Sequence, residues 1–144
     1  MVSVLNEFAF SSEIFSLIAE SDCGWLDGAC FIFARALEIW LDGKIVCLVR
    51  DCQIPEHFVL KVGDWYVDAE GARCEAELLR SVDRWQCAYA LRTLDDLTQV
   101  GIDTADILRD EIVSQHLAAA LEKHFGHPET QDLGLVLNGN RRRR

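Results

Sequence analysis

Asp27-Gly28-Ala29-Cys30-Phe31-Ile32-Phe33-Ala34-Arg35-Ala36-Leu37-Glu38-Ile39-Trp40-Leu41, followed by Asp42-Gly43, is the stretch on which the rest of the chain is arranged. It reads as one helix, capped at its start by Asp27 and Gly28 and stopped at Asp42-Gly43, with Gly43 in the left-handed stop conformation. Between these ends only Arg35 and Glu38 interrupt an apolar run, so the helix is expected to be surrounded by protein. The run falls short of the roughly 20 apolar residues that span a bilayer. Cys30 lies in its first turn, at the positive end of the helix dipole, where unpaired N–H groups favour the thiolate.

Outward from this helix the clearest unit is a hairpin. His57-Phe58-Val59-Leu60-Lys61-Val62 and Trp65-Tyr66-Val67-Asp68-Ala69-Glu70 are strand-like runs joined by Gly63-Asp64, a pair suited to a two-residue turn. With that turn Val62 faces Trp65. Phe58, Leu60 and Val62 then share an apolar face with Trp65, Val67 and Ala69. The other face carries His57, Val59 and Lys61 with Tyr66, Asp68 and Glu70, and there Asp68 is diagonal to His57. The pairing that buries an apolar face therefore brings an imidazole and a carboxylate together. With Cys30 they supply the parts of an activated nucleophile: a thiolate to attack, an imidazole to carry the proton, and a carboxylate to orient the ring.

The remaining elements are expected as follows. A helix capped by Ser11 or Ser12 ends near Ala19, and residues 21–26 form a loop in which Trp25 packs. A strand covers Lys44–Val49 and a polar connection covers residues 51–56. Gly71-Ala72-Arg73-Cys74 turn into a short helix ending near Arg80. A strand lies within residues 84–94, one or two helical turns follow, and a long amphipathic helix spans Thr104–Phe125. Its apolar stripe is read as Ile107, Leu108, Ile112, Leu117, Ala120, Leu121 and Phe125. His116, His124 and His127 are read as solvated or as partners of the helix C-terminus. The fold class is α+β: the central helix on a small antiparallel sheet, with an N-terminal helix and a long C-terminal helix alongside. Residues 1–137 form one domain and 138–144 a flexible basic tail.

The 144 residues carry a net charge of −10, and without Arg141–Arg144 the remainder stands at −14. Such a surface repels nucleic acid and anionic membranes, so neither is an expected partner. No basic, apolar leader opens the sequence and no stretch has membrane length, which points to a cytoplasmic protein. The six cysteines follow no disulfide-scaffold rhythm. Cys47, Cys52 and His57 lack the paired knuckle of a zinc site, so no metal and no organic cofactor is expected.

On Gly28–Ala34, His57–Gly63 and Trp65–Gly71 the chain resembles the papain-like cysteine hydrolase superfamily, in particular small bacterial papain-fold and transglutaminase-like domains. In that superfamily a Cys opens a central helix, a His begins a sheet strand, and an Asp or Asn lies on the next strand. The resemblance implies a Cys30–His57–Asp68 triad and acyl chemistry on amide or isopeptide bonds of a protein or peptide substrate, whether protease, amidase, deamidase or transglutaminase-like. It equally allows an inactive papain-like module that binds a partner protein. The sequence departs from the papain pattern in having no Gln ahead of Cys30 to bind an oxyanion.

Overall fold

The computed structural model describes residues 3–21, 29–50, 54–82, 89–102, 104–105 and 107–139. In chain order these form α1 (Val4–Ala9), α2 (Ser12–Ala19), α3 (Ala29–Leu41), β1 (Lys44–Arg50), β2 (Ile54–Val62), β3 (Trp65–Asp68), β4 (Gly71–Arg73), α4 (Glu75–Val82), β5 (Tyr89–Thr93), α5 (Leu94–Gln99), α6 (Glu111–Phe125) and α7 (Leu133–Asn138). The architecture is α+β. The five strands form one antiparallel sheet in the order β4-β3-β2-β1-β5.

α3 is the apolar centre of the molecule, as the sequence requires: Ala29, Phe31, Ile32, Phe33, Ala34, Ala36, Leu37 and Trp40 are all buried. One side packs on the sheet and another on α6. Ser114 of α6 donates to the Ile32 carbonyl at 2.9 Å, and the Trp40 indole donates to the Gly126 carbonyl at 2.7 Å. The Arg35 guanidinium holds Glu111 through two contacts of 2.9 and 3.0 Å. The stop differs from expectation by one residue. Asp42, not Gly43, takes the left-handed conformation, with φ at 61°. Gly43 is instead the point of closest approach to the hairpin, where a Cβ would collide with the Lys61 carbonyl and the Val62 side chain. Asp27, Gly28 and Trp25 lie outside the described residues.

The hairpin has the expected register: Val62 opposite Trp65, Lys61 opposite Tyr66, Leu60 opposite Val67. Phe58, Leu60, Val62 and Val67 join the main core under α3. The opposite face, half-polar in sequence, is not left to solvent. Val46, Leu48, Val59, Tyr66 and Leu78 form a second, smaller core there, with Leu78 supplied by α4.

Three further differences position the site. Gly71–Arg73 is a strand, β4, paired to β3, and not the entry to a helix. Its outer edge is closed by Asn138, which accepts from the Ala72 N–H and donates to the Ala72 carbonyl, each at 2.9 Å. Asn138 is thus the last residue of α7 and part of the fold, not of the tail. Finally, the long helix begins at Glu111 and not near Thr104. The Asp110 carboxylate caps the Val113 N–H at 3.1 Å and starts α6 there, while Arg109 holds the Thr104 and Ile107 carbonyls in the preceding loop. The buried face of α6 is Val113, Ser114, Leu117, Ala118 and Leu121, whereas Ile112 is 66 % exposed. The N-terminal segment is two helices, since Ser3 caps a turn of helix ahead of α2.

Candidate active site

Cys30 is the second residue of α3, half-buried, at the end of the helix where N–H groups lack helical partners. His57 lies on β2 opposite Leu48, beside an irregularity in the β1–β2 ladder that leaves Glu56 unpaired between His57 and Pro55. A bulge of this kind bends a strand and re-aims the side chains next to it. Asp68 ends β3 and is only 3 % exposed.

The structure brings all three together on one cleft of about 460 Å³. His57 Nε2 meets Asp68 Oδ2 at 2.8 Å, so the ring nitrogen left for the Cys30 thiol, with which it also hydrogen-bonds, is Nδ1. The diagonal contact inferred from the hairpin register is thus present. Phe10, Ile107 and Leu108 wall the cleft. None of these three was expected there, because Ile107 and Leu108 belonged to the presumed helix stripe and Phe10 comes from the α1–α2 corner.

Burial raises the Cys30 pKa, but the hydrogen bond and charge of His57, with the Phe58 and Phe31 backbone N–H groups, outweigh it and leave the thiol below its ordinary range. Burial also resists charging of His57. Hydrogen bonds to Asp68 and Cys30, and their negative charges, overcome it and hold the ring at about 9 against an ordinary 6.5. The two shifts share one contribution, the attraction of a thiolate and an imidazolium, and at the ring Asp68 adds a larger one. For Asp68, burial is opposed by the hydrogen bond and charge of His57, the Arg73 charge and the Glu70 N–H, and the carboxyl stays below the usual carboxylate range.

Sequence reasoning missed two of the groups that hold Asp68. The Glu70 N–H donates to Oδ1 at 2.9 Å, and the Arg73 guanidinium donates to Oδ2 at 2.7 Å. The second was legible only to a reader who took Gly71–Arg73 as a strand, for Arg73 then lies opposite Tyr66 and diagonal to Asp68. The Ala69–Glu70 corner is itself tied to α1, where Asn6 donates to the Ala69 carbonyl at 3.0 Å and Ser3 to the Glu70 carbonyl at 2.7 Å.

Cys47, the buried cysteine among the described residues, faces the core, and burial pushes its thiol up to about 12. Cys52 lies outside the described residues. Among those described, no group of three or more His, Cys, Asp or Glu is placed to hold a metal ion, and no helix is long and apolar enough to cross a membrane. His116, His124 and His127 are exposed and away from the cleft; His127 pairs with Glu122 at 2.8 Å and His124 lies against Phe8 and Phe125. No family model matches the chain, and no curated protein or solved structure matches it either.

Proposed function

We propose that the chain is a papain-like cysteine hydrolase or acyltransferase acting on amide or isopeptide bonds of a protein or peptide. The observation that carries this reading is the continuous contact from Cys30 through His57 to Asp68, with a 2.8 Å bond at its far end and a substrate-sized cleft at its near end. The Cys30 thiolate attacks the acyl carbonyl, and the carbonyl electron pair moves to oxygen, where the Cys30 N–H at the helix start can donate to it. Collapse breaks the bond to the leaving amine, which takes its proton from the His57 imidazolium, and a thioester remains on Sγ. Water, or an amine in the transferase case, then attacks the thioester and gives its proton to His57. The Cys30 thiolate leaves. Asp68 does not exchange a proton; it keeps the ring oriented and stabilises its charge.

The test needs no known substrate. Iodoacetamide at mildly acidic pH, read by peptide mapping, should modify Cys30 ahead of every other cysteine. His57→Ala should remove that preference apart from the residual effect of the helix dipole, and Asp68→Ala should weaken it. Uniform labelling, or Cys30 labelling indifferent to His57, would instead favour a catalytically idle module whose cleft binds a partner, a reading to which the exposed Phe10 and Leu108 on the cleft wall would also be suited.

A further inference from the structure

Asp68 is held more firmly than a triad carboxylate needs if its only task is to meet a histidine. Its Oδ2 takes both the His57 Nε2 contact at 2.8 Å and the Arg73 contact at 2.7 Å, while Oδ1 takes the Glu70 N–H. We infer that Arg73 is a positioning residue for this site: by fixing Asp68 Oδ2 from the adjacent strand, it keeps the carboxylate in the place where it can orient His57. The inference rests on the Cys30–His57–Asp68 reading above.

Two observations set Arg73 apart from an ordinary surface cation. Its side chain is largely covered, with about a fifth of its surface exposed. Its Nε, moreover, is buried without a hydrogen-bond partner. What the seat achieves is the aim of one terminal nitrogen at Asp68. The backbone that carries it is fixed on both sides. β4 is paired to β3 through Tyr66–Arg73, Val67–Ala72 and Asp68–Gly71, and its free edge is closed by Asn138.

The alternatives are that Arg73 is a mere charge neighbour or only a clip between β3 and β4. They predict different behaviour at His57. Among the described residues the titratable and charged groups around that ring are Cys30 from α3, Asp68 from β3, Arg73 from β4, Cys47 from β1, and Glu56 and Glu70 on the cleft. Removing a cation that acts by charge alone would make the imidazolium easier to keep and raise the His57 pKa. Removing one that positions Asp68 lets the carboxylate leave the ring and lowers the His57 pKa towards 6.5. A clip would alter the melting temperature and leave the titration where it was.

The experiment is an NMR titration of the His57 ring, assigned with His57→Ala, alongside the pH profile of Cys30 alkylation, in the full chain. For Arg73→Met the expected result is a downward shift at His57 of about one unit, with the His57-dependent inflection of the Cys30 alkylation profile moving down by the same amount. Arg73→Lys, which keeps a cationic donor, should restore most of both. Arg73→Gln, too short to reach Oδ2, serves in place of Arg73→Met if that variant does not fold, with the same expectation. An unchanged or raised His57 pKa in the variant overturns the inference. Failure of the underlying reading is visible separately, as wild-type protein in which Cys30 alkylation does not depend on His57.

Discussion

The first turn of α3 and the middle of β1 each hold a cysteine, both packed against the same core and both close to His57. Their chemistry is opposite. At Cys47 burial prevails and the thiol is pushed up to about 12. At Cys30 burial also acts, yet an imidazole and two backbone N–H groups overrule it. The lesson is that burial alone does not decide the state of a thiol. Both thiols have two backbone N–H groups beside them, so what decides it is whether a countercharge comes with the burial, and only Cys30, at the helix start, meets the His57 ring. Cys47 is consequently expected to behave as a small hydrophobe and Cys30 as a poised nucleophile.

The largest effect that could break this contrast is on stability. Phe33 and Leu60 are buried to within 2 % in the core beneath Cys30. Phe33→Ala and Leu60→Ala should each destabilise by about 2–5 kcal/mol through lost packing and a residual cavity. Cys30→Ala should leave stability within about 1 kcal/mol, since a half-buried thiol at a helix start fills little of that core. Urea melts of the three variants would measure this. A Cys30→Ala loss as large as the truncations would make Cys30 a packing residue and erase the difference from Cys47.

How much of this was readable beforehand depends on what each feature is made of. The His57–Asp68 contact follows from a two-residue turn and a period of two, both local, so the register could be derived and with it the diagonal pair. β4 was unreadable for the opposite reason. It is three residues long, begins with Gly71 at φ 129°, and is a strand because β3 and Asn138 supply its partners. Arg73 was lost with it. The Val59–Tyr66 face reads as half-polar in sequence and is buried only because α4 brings Leu78 across it. The start of α6 was missed because apolar residues at 107 and 108 extend a helical pattern, although the chain uses them to wall the cleft and Asp110 to begin the helix.

A smaller effect sharpens the contrast with a single atom. Replacing sulfur by oxygen converts a weakly polar group into one that needs hydrogen bonds. At Cys47, fully buried, the Leu48 carbonyl at 3.5 Å and the His57 and Glu56 N–H groups partner the thiol at the long reach of sulfur. A hydroxyl with its shorter bonds is poorly satisfied there, so Cys47→Ser should destabilise by about 1–3 kcal/mol. At Cys30 the hydroxyl would find His57 and nearby N–H groups, so Cys30→Ser should change stability by a few tenths of a kcal/mol while abolishing alkylation at that site. Thermal melts and peptide mapping on the same two samples separate the roles. Equal losses in the melts would mean that the surroundings of Cys30 are no more polar than those of Cys47.

The smallest expected effect tests whether Cys30 and His57 share one proton. His57 is raised from 6.5 to about 9 in the folded protein, so the stability that it contributes is fully present below pH 6.5 and is lost as the pH rises through 9. Cys30 is lowered from 9.0, so its contribution has the opposite course: present above 9 and lost as the pH falls through its folded value. Above the folded Cys30 value and below 9 the folded pair holds one proton, on the ring. The unfolded chain also holds one, on the thiol. With equal proton counts the pair leaves stability level with pH. Cys30→Ala removes the compensation. Asp68 still holds up the ring, the folded variant binds more protons than the unfolded one, and stability must fall as the pH rises from 7 to 8.5. Because the His57 side chain is 34 % exposed, solvent screening reduces the expected loss to about 1 kcal/mol, or roughly 2–4 °C in the melting temperature of a chain of this size. Wild-type protein should stay level across the same range. A Cys30→Ala variant whose melting is equally insensitive to pH would mean that the ring is uncharged in the folded state, and that Cys30, like Cys47, keeps its proton.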